Sequence, residues 1–430
     1  MVYSNDFYSS KDSDTLERAI QHRTADGIVI IPPRQSDVDP DRTYWLLDRA
    51  VCIPSDTTVI LENCMIKLSD RCRDNFFRTA NCGLGIADPA KIRNVHLKGV
   101  GRCVLMGADH PRATGDGSKM LACPCPKKPE DICRLADWIP EERRKSGNLD
   151  FWDCHDHSYG TDANDPNESH YGDWRGIGVL FANAEHFSIE NLTIIESHGW
   201  GISLEACAYG RVEKIDFDAK MEREIDGLLQ NTENQDGIDL RNGCHDIVVT
   251  DITGGTGDDL IALTAIASPH ALPGGSLRTT HVMHNDWTRR ERDIYNIIIR
   301  NVIGRCQSGV CCLIRLLPAE AQIRNVVIDN VVDNSPADCS TGIALLLGEP
   351  DGAYGRNLPD SIQTLTVSNL VSACRRTVAV EGYLNHAAFT NIINRGENPY
   401  VFFVARPGGM KNTLLSNIQT AGDQLIRQNQ

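Results

Sequence analysis

The stretch NIIIRNVIG, residues 296–304, sets an alternation of aliphatic residues before an asparagine and a second apolar pair after it. The same order returns in RNVVIDNVV at 324–332 and QTLTVSNLV at 363–371. Earlier copies read FSIENLTI at 187–194, RVEKIDF at 211–217 and DIVVTDITG at 246–254, and later ones FTNII at 389–393 and NTLLSNI at 412–418. Where nothing intervenes, from Asn369 to Asn391 and from Asn391 to Asn417, the period is 22 to 26 residues. Spacing of that size belongs to solenoids. Each period carries a second apolar strand as well: GISLEA, GIDL, LIALT, LIRLL, IALLLG or VAVEG. Short strands with period-two alternation, several per repeat and no helix between them, predict an all-β parallel β-helix. A leucine-rich repeat is the other solenoid of this period, but its leucine and helix pattern is missing.

The recurring asparagine suits a turn between coil faces, where a short polar side chain bonds local backbone. Leu16 to Ile20 reads as a short amphipathic helix that caps the first coil and keeps its edge from pairing elsewhere. No linker rich in Pro, Gly or Ser divides the chain, so residues 1–430 are read as one domain. Two long insertions interrupt the coils, at about 107–175 and 264–293. Loops longer than about 15 residues are usually functional or disordered. Trp138, Trp152, Trp174 and Trp287 within them argue for order, and segments emerging beside the aspartate strands either wall a cleft or decorate the surface.

Two segments concentrate acid. In Asn234-Gln235-Asp236-Gly237-Ile238-Asp239 and Gly257-Asp258-Asp259-Leu260-Ile261-Ala262, carboxylates precede a strand-like alternation. Aligning Ile238 with Ile261 and Leu240 with Leu263 sets Asp236 beside Asp259 on neighbouring strands, about 4.8 Å apart. Like charges at that spacing push their pKa values apart, so one carboxyl keeps a proton while another stays ionised. That is the requirement of paired acid and base catalysis.

Composition limits the alternatives. A formal charge of −15 with no long basic run argues against a nucleic-acid partner. No apolar run approaches the roughly 18 residues needed to span a membrane. The first residues, MVYSNDFYSSKDSD, lack the basic and apolar regions of a secretory signal, so a cytoplasmic location is expected. Sixteen cysteines diluted through a large chain, as at Cys52, Cys64, Cys103 and Cys312, read as buried thiols. Cys123, Cys125, Cys133, Cys154, His155 and His157 gather metal-ligating types in the first insertion, but their spacing matches no standard zinc pattern. Neither a metal nor a cofactor is expected.

These residues resemble glycoside hydrolase family 28, the polygalacturonase-like right-handed parallel β-helices. The resemblance begins in TLERAIQ, GIVIIPP and TTVILENCMIKL near the N-terminus and is most specific over about 185–330. NQDGID resembles the family's Asn-Thr-Asp motif with Gln235 in place of Thr, and Gly257-Asp258-Asp259 stands as the family has it. The resemblance implies that Asp259 is the general acid, that Asp236 and Asp258 hold and activate the attacking water, and that the anomeric centre inverts. Arg315 in CLIRLLP falls where the family places a substrate-binding arginine, whereas Leu317 takes the place of its lysine. No Gly-His-Gly is present; His281, with His284 close behind, lies at about the expected distance from Asp259. Trp200 in HGWGISLEA, one coil before Asp236, either stacks on a sugar or packs against a neighbouring coil, with stacking favoured; Arg241 and Asp239 are expected to support the site, the alternative for Asp239 being an outward solvated residue.

The partner expected is therefore an oligosaccharide or polysaccharide. Because the lysine that in this family helps grip a uronate is replaced, a neutral sugar, a rhamnogalacturonan-type fragment or a short imported oligosaccharide is favoured over plain galacturonan. Two other classes share the fold: a lyase or epimerase, which needs a base and often a divalent cation beside the abstracted proton, and a non-catalytic carbohydrate-binding solenoid. Oligomeric state is not legible in the chain.

Overall fold

A computed structural model describes residues 1–428 apart from 37–38, 71, 73, 84–85, 87, 110–172, 221, 226–227, 232–234, 268–280, 284–288, 307–311, 336–341, 351–353 and 421–424. From Val179 on, successive coils contribute a short strand to one parallel sheet and a long strand to another. Among the described residues the short-strand sheet has 11 strands and the long-strand sheet 15. Sequential coils pair in register: Ile202–Glu205 lies on Ile238–Arg241, which lies on Ile261–Ile266, which lies on Cys312–Ala319. The expected parallel β-helix is thus the fold, and its coils run from the N-terminal strands to Ile426–Gln428.

The interior is a set of stacked aliphatic columns. Ile202, Ile238, Ile261 and Ile314 form one, and Leu204, Leu240, Leu263 and Leu316 the next, all essentially without solvent exposure. Facing them from the long-strand sheet are Val212, Val249, Ile299, Ile328, Val367 and Phe389. Period-two alternation produces these columns, because in-register stacking puts like residues above like.

The asparagines do more than end strands. Asn301, Asn330, Asn369, Asn391 and Asn417 all hold φ between 50° and 57°, bending the long strand around the coil corner. Asparagine tolerates this left-handed region better than residues with bulkier side chains. Their amides join in a ladder: Asn330 donates to Asn301 at 2.9 Å, Asn391 to Asn369 at 2.9 Å and Asn417 to Asn391 at 2.7 Å. A second ladder, unforeseen in the sequence, runs through Asp246, Asn296 and Asn325 at the preceding corner. Asn391→Ala is expected to cost about 1 kcal/mol more than Asn391→Gly, since both lose the ladder but only alanine meets the left-handed penalty. Urea denaturation of the two variants checks this.

The capping helix spans Asp12–Gln21 and buries Leu16, Ala19 and Ile20 against the first coils. Its buried Asp12 accepts from Arg34 at 3.1 Å, Arg42 at 2.6 Å and the Leu46 amide at 2.9 Å, which locks helix to coil. Among the described residues no helix is long and apolar enough to cross a membrane. Cys64 and Cys244 are core thiols, and burial pushes both up to about 12.

The insertions differ in detail from expectation. The strand entering the second continues to Ile266, beyond the expected boundary at 264, and the chain returns through the 3₁₀ turn Arg289–Arg292. An antiparallel hairpin, Glu222–Ile225 with Leu228–Asn231, lies in the chain between the strands Ala208–Asp218 and Ile238–Arg241. Trp174 is buried, with the Arg78 guanidinium 5.6 Å from its ring. Trp138, Trp152, Trp287, His284 and the Cys123-to-His157 group lie outside the described residues.

Candidate active site

The outer face of the short-strand sheet carries the polar residues that alternate with the aliphatic columns. Leu180, Ser203, Asp239, Ala262, Arg315 and Leu346 form one outward row, and Ala182, Glu205, Arg241, Thr264 and Leu317 the next. Most of this face is buried, so its charged groups act in a setting poorer in water than a solvated surface. That setting strengthens every charge interaction in it.

Register carries the acids together at the mouth of this sheet. The Gly201 amide donates to the Asp236 carbonyl at 2.8 Å, the Gly237 amide to the Asp259 carbonyl at 2.8 Å, and the Leu260 amide to the Cys312 carbonyl at 3.0 Å. Trp200, Asp236, Asp259 and Cys312 therefore follow one another coil by coil. The strands beyond them align Ile238 with Ile261 and Leu240 with Leu263, the register expected from sequence. Gly237 is what lets the coils close here: a Cβ on it would lie 2.4 Å from the Leu260 carbonyl oxygen. Asp236 and Asp259 are buried and Asp258 half-buried.

Asp259 is tightly held. One oxygen accepts the Cys312 amide at 2.7 Å and the other the Arg315 Nη1 at 3.1 Å. Arg315 Nη2 in turn donates to Glu349 at 2.5 Å. Burial pushes the Asp259 pKa up, while Arg315 and the Cys312 amide pull against that rise. Burial also works against the charge on Arg315, and Asp259 with Glu349 more than offsets it. Arg315 thus reaches the site as expected, but as the clamp of Asp259. Asp239 faces the same side, where burial raises its pKa well above its ordinary value, Arg241 opposing and Asp259 and Asp258 adding to the rise. It is a buried acid, not a solvated outward residue.

Two expected substrate contacts take other roles. Trp200 is only 4% exposed and packs with Cys82, Trp174, Ile177, Leu180, Ala182 and Val282. The Arg241 guanidinium, itself fully buried, lies 4.7 Å from the Trp200 ring centroid. Trp200 is therefore an interior residue and not a platform for a sugar; HGWG turns into the cluster because apolar neighbours from three segments converge there. Arg241 supports from within. His281 is also displaced from where its sequence distance put it. Its Nδ1 lies 2.8 Å from Glu205, in the strand on the far side of Ile238–Arg241 from Asp259.

Glu205 and Glu349 were missed in the sequence. Glu205 interrupts an apolar strand at the position that register sets beside Arg241, and that alignment was the available signal. Burial alone would raise the Glu205 pKa, but His281, Arg241 and the Val282 amide hold it down, to about 2. Glu349 lies just past its strand, where no periodicity marks it. Among the described residues no three His, Cys, Asp or Glu side chains are arranged to hold a metal ion.

No protein-family model matches the chain, and no curated protein matches it in sequence. Solved structures do match in fold. A polygalacturonase from Erwinia carotovora ssp. carotovora superposes with a TM-score of 0.52 at 13% identity, covering 99% of this chain and 96% of that one. An endo-xylogalacturonan hydrolase from Aspergillus tubingensis gives 0.51 at 10% identity, covering 97% and 92%. A tailspike protein double mutant of E. coli bacteriophage HK620 gives 0.53 at 14% identity, covering 99% and 66%. The chain has the fold of a polygalacturonase-like right-handed parallel β-helix. At these identities the likeness is one of fold.

Proposed function

We propose that the protein is a glycoside hydrolase that cleaves an oligosaccharide by direct attack of water with inversion, using Asp236, Asp258 and Asp259. The observation that carries this reading is the one-coil register that stacks Asp236 on Asp259 with Asp258 adjacent. The hydrolases among its structural neighbours support the class.

The hydrogen bonds of Asp259 favour a change in the roles implied by the resemblance. Both of its oxygens accept from groups that cannot accept in return, which suits a carboxylate that positions water. In our reading the proton donor is Asp258, the half-buried member of the three and the one a glycosidic oxygen reaches. Asp236, one coil away, completes the water site.

The substrate we favour is neutral or weakly charged at the sugar next to Asp259. The Arg315 guanidinium is already shared between two carboxylates, and Leu317 packs with Ile266, Ala319 and Tyr354. A third carboxylate brought to Arg315 would meet Asp259 and Glu349 at close range. Digestion of an oligosaccharide panel in ¹⁸O-labelled water tests the reaction class by mass spectrometry. Hydrolysis places one heavy oxygen in the products per bond cleaved. Unsaturated products without the label would overturn the proposal in favour of a lyase.

A further inference from the structure

The strand Ile343–Leu347 runs into Gly348, whose φ of 85° turns the chain out of the coil. A Cβ there would lie 2.3 Å from the Gly382 nitrogen, so glycine is the residue that fits this turn. The Gly348 amide donates to the Leu316 carbonyl at 2.8 Å, and the Glu349 carbonyl accepts from the Asn357 side chain. Main-chain groups thus pin the turn beside the strand that carries Arg315. The Glu349 carboxylate is delivered to the guanidinium, where it accepts from Nη2 at 2.5 Å.

Asp259, Arg315 and Glu349 form one line of contacts leading outward from the acid column. Arg315 Nη1 lies 3.1 Å from Asp259 and Nη2 2.5 Å from Glu349. Side-chain exposure rises along the line, from 2% at Asp259 through 16% at Arg315 to 22% at Glu349, so Glu349 is the end that solvent reaches most. The Arg315 Nε is buried, and the Tyr354 ring centre lies 5.7 Å from the guanidinium carbon. A carboxylate arriving from solvent would have to use the terminal nitrogens, and both are already engaged. Without Glu349, the planar fork would suit such a carboxylate well.

We propose that Glu349 is a specificity-determining residue: by holding Arg315 Nη2 it keeps the guanidinium on Asp259 and excludes sugars that would bring a carboxylate there. The inference rests on the hydrolase reading and assigns the exclusion of uronates to one side chain. Charge is what decides it. One cation is shared between two carboxyl groups, so a third anion gains a single attraction and meets two repulsions. Glu349→Gln removes one repulsion and keeps the shape; Glu349→Ala also frees Nη2. Both are expected to fold, because the turn is held by main-chain groups and Asn357.

Calorimetric titration of the full chain with an oligogalacturonate and with its carboxyl-reduced counterpart tests this, every chain carrying Asp236→Asn so that cleavage does not intervene. The parent is expected to bind the reduced sugar more tightly than the oligogalacturonate. Glu349→Gln and Glu349→Ala are expected to gain about 10- to 100-fold in affinity for the oligogalacturonate, the worth of a hydrogen bond to a charged group, with far less change for the reduced sugar. Added salt should erase much of that gain. A parent that prefers the oligogalacturonate overturns the proposal, and this result stands even if both variants misfold. A folded Glu349→Ala that gains no affinity for the oligogalacturonate, whether or not it binds the reduced sugar, overturns it as well. The hydrolase reading is scored separately by the ¹⁸O digestion, so the two can fail independently.

Discussion

Asp258→Asn is expected to lower kcat by about 10²- to 10⁴-fold, the usual worth of a general acid, while leaving the melting temperature almost unchanged. The side chain is half-buried and the replacement has nearly the same shape, so little packing is at stake. Its signature is dependence on the leaving group. A substrate whose leaving group departs without protonation should restore much of the lost rate in Asp258→Asn. It should restore little in Asp236→Asn or Asp259→Asn, where water activation is damaged instead. If the rescue appears in Asp259→Asn alone, the proton donor is Asp259, and its bonds to Cys312 and Arg315 must break during turnover.

Arg315→Met is expected to destabilise the fold by about 3 kcal/mol, the lower end of the cost of breaking a buried ion pair by removing one partner. The lower end applies because Arg315 keeps some contact with water, its side chain being 16% exposed against 2% for Asp259. The pH dependence follows from the direction of the Asp259 shift. Burial already raises that pKa, and Arg315 is the largest influence opposing the rise. Without the guanidinium the folded-state value climbs further above the unfolded one. A carboxyl raised in the folded state favours folding while protonated and loses that contribution as pH rises through the folded value. The stability deficit of Arg315→Met should therefore shrink on acidification and grow toward neutral pH. If the ionised Asp259 is needed for activity, the acid limb of the rate profile should move to higher pH. Thermal melts and rate profiles across the same buffers check both.

The solenoid was legible in the sequence because its coils stack in register, so a local repeat in NIIIRNVIG and its relatives reports a global architecture. The same register made Asp236 and Asp259 neighbours before any coordinates, since a column of Ile238 and Ile261 leaves no other alignment. What the sequence hid is the outer face. Period-two alternation tells inward from outward, yet it cannot tell an outward residue in water from one covered by a distant segment. Trp200 looked like a surface contact for that reason, and burial by residues 174–182 and 282 turned it inward. His281 was misplaced by a related cause: distance along an insertion does not say on which strand the insertion lands. Glu205, the group that decides this, reads locally as a lone acid in an apolar strand.

The central claim is that this acid column hydrolyses a glycosidic bond by single displacement. Proton NMR of the first product formed from a cleaved oligosaccharide tests it most directly, because the anomeric signal is read before mutarotation scrambles it. The expected result is a new reducing end with the configuration opposite to that of the bond cleaved, absent when Asp236→Asn replaces the wild type. A product that keeps the original configuration would contradict the account, as would cleavage at the wild-type rate by Asp236→Asn.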